Sequence, residues 1–119
     1  NIQHSTFFCL CPNANLYITN SLPNVEMLRG NDITIVLGTD SLASNHQLSI
    51  LEEIKTLQQH FPGLELKTFL QWATINGAIA LQMDDELGSF EKGKRPGVVL
   101  IEGLKERGIV KESSSKRLL

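Results

Sequence analysis

Apolar positions fall in short continuous runs early in the chain and at helical spacing later, and the change marks its organisation. Thr6-Phe7-Phe8-Cys9-Leu10 is an apolar run stopped by Pro12, Asn13 and Asn15, which predicts a strand buried on both faces and then a polar loop. Ser21 is placed to cap a short helix, with Pro23 in its first turn, Val25 and Leu28 facing inward and Gly30 at its end. Ile33-Thr34-Ile35-Val36-Leu37 repeats the strand signature and breaks into Gly38-Thr39-Asp40-Ser41. Ser44 and Gln47 have capping-box spacing, and Leu48, Leu51, Ile54, Leu57 and Phe61 recur at near-helical intervals as far as Pro62-Gly63, predicting a helix over residues 45–60. A second stripe, Leu66, Phe69, Leu70, Trp72 and Ala73, resumes with Ala78, Ile79 and Leu81. Glycine inside a helix costs about 1 kcal/mol relative to alanine, so a kink or junction is expected near Asn76-Gly77. Gly88, Gly93, Pro96 and Gly97 then punctuate short runs, and Val98-Val99-Leu100-Ile101 predicts a strand within a hairpin over residues 88–103. Residues 104–119 read as a polar tail.

This order reads as an α/β chain: consecutive βα units of a parallel sheet over residues 1–87, then a hairpin belonging to another layer. A length of 119 residues suits one domain. With 11 basic against 13 acidic residues and a net charge of -2, the chain lacks the footprint of a nucleic-acid binder, and its dense basic cluster is Lys116-Arg117. No apolar run approaches the roughly 20 residues that span a bilayer, so neither nucleic acid nor membrane is an expected partner. Cys9 and Cys11 share a strand face but lie too close for an ordinary disulfide. They are expected as buried strand thiols in a reducing, cytoplasmic compartment, and as half of a tetrahedral zinc shell at most. The first residue is Asn1 and not Met, so length alone does not establish a whole protein.

Candidate chemistry is sparse. Gly88, Gly93 and Lys94 have the spacing of a phosphate-binding loop, but Arg95 stands where Ser or Thr belongs, no strand precedes Gly88, and Pro96-Gly97 replaces the start of a helix. His4, His46 and His60 share no metal-ligand spacing. Asp40 stands out because it lies just past the C-terminal end of a parallel-type strand, where α/β folds place ligands and catalytic groups; turn formation or helix capping is the competing role. Asn13 and Asn15 sit at the other strand end, as turn formers or as ligand contacts.

Four segments in order carry a resemblance: Cys11-Pro12-Asn13-Ala14-Asn15; Leu37-Gly38-Thr39-Asp40-Ser41-Leu42-Ala43-Ser44-Asn45; Ala73-Thr74-Ile75-Asn76-Gly77-Ala78; and Gly88-Ser89-Phe90-Glu91-Lys92-Gly93-Lys94. Together they resemble the closing third of the metal-dependent amidohydrolase superfamily, in the branch of cytosine, guanine and S-adenosylhomocysteine deaminases and related chlorohydrolases. The resemblance implies the C-terminal portion of a (β/α)8 TIM barrel, with residues 7–10 as its seventh strand and residues 33–37 as its eighth, followed by a β-hairpin of an accessory sandwich. It implies that Asp40 is both metal ligand and catalytic group, that Asn13 and Asn15 contact substrate, and that the metal is a divalent zinc or iron. Such an ion lowers the pKa of bound water for hydrolytic deamination of an aminated heterocycle. The superfamily's His-x-His pair, later histidines and general-acid glutamate have no counterparts here, and Pro96-Gly97 departs from its usual Ala-Asp.

Three readings follow. The chain is the closing part of a longer hydrolase, inactive alone, with the N-terminal remainder of the same chain and a small heterocycle as its partners. Alternatively it is a stand-alone binding module derived from the barrel, or one subunit of a split barrel. As an isolated piece it is expected to form a homo-oligomer or a strand-swapped assembly through its exposed sheet edges.

Overall fold

The computed structural model describes residues 6–106 and 108–119. The reading of His4 lies outside them. Strand β1 (Thr6–Leu10) and strand β2 (Ile33–Leu37) pair in parallel from Thr6 opposite Ile33 to Leu10 opposite Leu37. A bond from the Gly38 amide to the Leu10 carbonyl, 3.0 Å, continues the ladder one residue further. Both strands lie where the apolar runs predict them. Burial of β1 on both faces is not observed: Leu10 is fully buried and Phe8 packs on the core, whereas Phe7 and Cys9 are exposed. Alternate side chains of a strand point to opposite faces, and among the described residues the helices cover the face of Phe8, Leu10, Ile33, Ile35 and Leu37.

The crossover holds helices α1 (Pro12–Thr19) and α2 (Val25–Arg29). A polar loop was expected where α1 stands. Pro12 presets the first helical turn, Asn20 closes the helix in a left-handed conformation, and the amide of Asn13 is satisfied by a carboxylate 40 residues away, a partner no local pattern reveals. In α2 the cap is Asn24, accepting from the Met27 amide at 3.1 Å, and not Ser21; Val25 is fully buried and Gly30 ends the helix.

Helix α3 (Ile50–His60) starts later than residue 45. Ser49 caps it by accepting from the Glu52 amide at 3.3 Å, and residues 45–49 form a loop in which Leu48 is exposed. Its buried stripe of Leu51, Ile54 and Leu57 also includes Glu53. Helices α4 (Leu66–Ala73) and α5 (Ile75–Ala80) meet at Thr74, ahead of the expected Asn76-Gly77. The Thr74 hydroxyl donates to the Leu70 carbonyl at 2.6 Å, ending one helix, while Asn76 Nδ2 donates to the Ile35 carbonyl at 2.9 Å and docks the next on β2. The core gathers Leu10, Val25, Ile35, Leu51, Ile54, Leu57, Phe69, Trp72 and, from the last section, Ile109.

The last section corrects the expected hairpin and tail. Strand β3 (Val99–Glu102) pairs antiparallel with strand β4 (Ser114–Arg117), Val99 opposite Arg117 and Glu102 opposite Ser114, so the second strand lies within the segment read as a tail. β4 is exposed throughout and its sequence lacks apolar alternation; pairing rests on the backbone ladder and on buried Ser113, whose Oγ donates to the Gly103 carbonyl and accepts from the Val110 amide. Residues 81–98 are turns and irregular structure. Among the described residues no helix is long and apolar enough to cross a membrane.

Candidate active site

Glycine at position 38 lets the chain leave β2 against the end of β1: a Cβ there would lie 2.8 Å from Cys9 Sγ and 3.2 Å from Cys11 Sγ. Two residues on, Asp40 takes a left-handed conformation, φ 58°, which aspartate tolerates better than most residues. Its carboxylate is exposed at the C-terminal edge of the strand pair. The following loop is tied by its own bonds: the Thr39 hydroxyl donates to the Asp40 carbonyl at 3.1 Å, the Ala43 amide to Ser41 Oγ at 3.2 Å, and the Ser44 hydroxyl to the Ser41 carbonyl at 3.3 Å.

Beneath this loop is a group that the sequence reading did not single out. Glu53 is fully buried, and its carboxylate accepts three N–H bonds of 2.9 Å, from the Asn13 backbone, Asn13 Nδ2 and Asn45 Nδ2. Asn45, itself buried, gives a further bond from Nδ2 to the carbonyl of Thr39 at 2.9 Å. Asn13 Oδ1 in turn accepts from the Thr56 hydroxyl. Both strand ends are thereby joined to α3 through one carboxylate. The signal was present: Ile50, Glu53, Ile54 and Leu57 stand at i, i+3, i+4 and i+7, so a carboxylate occupies the apolar stripe.

Of the residues singled out, Asp40 and Asn13 belong to one connected region. The backbone amide and side-chain amide of Asn13 are held by Glu53 and Thr56 in the first turn of α1. Asn15 is two residues further round that helix, half-buried, with its carbonyl accepting from the Thr19 hydroxyl at 2.9 Å. Cys9 is exposed and Cys11 half-buried, so the expectation of two buried strand thiols is corrected; both lie on the side of the sheet where Gly38 turns. Burial, then the adjacent Cys9 thiol, pushes the Cys11 pKa up from 9.0 to about 11, against a lowering hydrogen bond from the Asp40 backbone. At neutral pH and without a metal ion Cys11 is therefore a thiol.

Asp40 offers one hard oxygen donor of the kind zinc accepts. Among the described residues no cluster of three or more His, Cys, Asp or Glu side chains is arranged to hold a metal ion, so further donors would have to come from elsewhere. A groove of about 1310 Å³ runs past Asn13, Tyr17, Asn45, Lys55 and Gly63 and does not include Asp40.

A parallel strand pair with a helix layer on one face and a carboxylate at its C-terminal edge defines an α/β protein of the kind that places chemistry at strand ends. The chain belongs to the amidohydrolase family, whose model matches residues 1–117. It is 36% identical over 99 residues to a 5-methylthioadenosine/S-adenosylhomocysteine deaminase of Saccharophagus degradans, covering 77% of this chain and 22% of that protein. The structure is similar to an adenosine deaminase from Xanthomonas campestris with bound zinc, at a TM-score of 0.68 and 30% identity over 82% of this chain and 24% of that one. It is also similar to the guanine deaminase of E. coli, at a TM-score of 0.70 and 26% identity over 82% of this chain and 24% of that one. The chain thus spans 22% of the length of a curated relative.

Proposed function

We propose that this chain supplies the closing part of the catalytic barrel of a metal-dependent hydrolase that deaminates an aminated heterocycle of the adenosine type. In this reading β1 and β2 are the seventh and eighth barrel strands, β3 and β4 belong to an accessory sandwich, and other barrel strands cover the exposed face of Phe7 and Cys9. The observation that carries it is the Asp40 carboxylate, exposed at the C-terminal edge of β2 on a left-handed turn, in a chain whose relatives are deaminases.

The ion, zinc or iron, supplies when bound a water whose pKa is brought toward neutrality. The role of Asp40 is to give one carboxylate oxygen to that ion and to take up the proton lost by the attacking water. Hydrolysis then joins the water oxygen to the ring carbon, breaks the exocyclic C–N bond and releases ammonia, the departing nitrogen taking a proton. Asn15, on the first helix after β1, is assigned to substrate contact. Asn13 is assigned there too, through the shape its fixed amide gives the strand end. The activity requires the barrel partners, and the chain expressed alone is expected to release no ammonia.

Replacing Asp40 by alanine in the polypeptide that carries this chain tests the reading. Ammonia release from adenosine-type substrates should fall by at least about 100-fold, with loss of bound metal measured by elemental analysis. Full turnover with metal retained would remove Asp40 from the site.

A further inference from the structure

The buried Glu53 has no place in the hydrolytic step, yet it is the most enclosed polar side chain of the described chain at 0% exposure. Removing a carboxylate from water is costly unless hydrogen bonds replace its solvation. Here its partners among the described residues are neutral amides, and the ion pairs found among those residues involve Glu26, Glu52 and Glu91 instead. An aliphatic side chain would fill a stripe position of α3 without that cost. What an aliphatic group could not do is hold the two ends of the strand pair. One carboxylate oxygen takes the Asn13 backbone amide, at the exit from β1; the other takes Nδ2 of Asn13 and of Asn45. Asn45 passes the restraint to the carbonyl of Thr39, the residue whose peptide bond leads into Asp40.

We propose that Glu53 is the positioning residue of the site: acting through Asn45, it fixes the Thr39 carbonyl and so the direction of the Asp40 carboxylate, while its bonds to Asn13 set the end of β1 at the same height. The proposal rests on the reading of Asp40 as the metal-binding carboxylate. A group that orients a metal ligand from behind alters affinity or rate by about 10- to 100-fold when lost. The geometry also explains why residues 45–49 stay out of α3. Asn45 cannot both join that helix and reach Thr39 and Glu53, so Ser49 caps the helix in its place.

The test uses Glu53→Gln and Asn45→Ala, singly and together, in the intact polypeptide. Hydrogen exchange of the peptide covering residues 38–47 is followed in metal-free protein, and kcat and KM are followed with adenosine. Expected are faster exchange confined to residues 38–47, kcat lower by about 10- to 100-fold with a smaller change in KM, and a double variant no worse than the poorer single one, because both changes cut the same link. Exchange that rises evenly over the whole chain, or a loosened loop with kcat unaltered, would show a structural role only and overturn the proposal. Unchanged exchange and rate in both variants would overturn it as well. If Glu53→Gln does not fold, Asn45→Ala alone decides, since it cuts the link to Thr39 and leaves Glu53 its two bonds to Asn13. Asp40→Ala separates the two ideas: turnover surviving it defeats the metal role of Asp40, while the exchange of the 38–47 peptide still reports whether Glu53 holds the loop.

Discussion

Asp40 and Cys11 are neighbours with opposite demands on their surroundings. In the proposed role the carboxylate needs its exposure to meet a cation, whereas burial keeps the thiol protonated well above neutral pH. Because the Cys11 pKa rises from 9.0 to about 11 on folding, its contribution favours the folded state below pH 9.0 and is lost as pH climbs toward about 11. Chemical denaturation at stepped pH should therefore show a fall in stability across that window which Cys11→Ser reduces; an identical fall in the variant would assign it to other groups. At this scale the sequence made the place of Asp40 just past β2 legible, because the end of an apolar run follows from local pattern alone. Glu53 and Asn45 were not legible, because their roles depend on Asn13 and Thr39, which reach them only through tertiary packing. Asn13 is marked by its position at a strand end, but its bonds to α3 lie beyond any local rule.

Among the elements, those set by apolar content stand where the pattern put them: β1, β2, and the buried stripes of α3 and α4. Those set by polar bonds shifted. α1 formed where a loop was expected, α3 began five residues after 45, and β4 emerged from a serine-rich stretch with no periodic signal. Residue 88 is a glycine for a steric reason. It has φ +92°, and a Cβ there would lie 2.8 Å from Ala78 Cβ and 3.0 Å from Ile75 Cα, both fixed on α5. Gly88→Ala should destabilise the intact protein by more than about 1 kcal/mol, read from its urea midpoint; an unaltered midpoint would mean that the turn and α5 can separate freely.

For the whole molecule, the radius of gyration is 14.5 Å, against about 13.5 Å for a compact domain of this length. The excess fits exposed Phe7 and Cys9 on β1 and a β3–β4 pair whose Val99 and Leu100 are exposed. Open strand edges and apolar side chains invite pairing, so the chain produced by itself should sediment as a dimer or larger species. A clean monomer in sedimentation velocity, with a cooperative melt, would contradict that. Expectation of a barrel came from motif order and not from composition, since charge balance and apolar fraction suit any globular chain equally.

The bond from Asn45 to Glu53 also has a direction in time. Synthesis delivers Asp40 and its loop before α3, so at that moment the turn has its own short-range bonds but nothing beneath it. Only when residues 50–60 have emerged and coiled can the carboxylate arrive and bind Asn13 and Asn45 together. Assembly of the strand ends is therefore tied to completion of the helix that follows them, and a nascent chain halted before that helix carries Asp40 without its support.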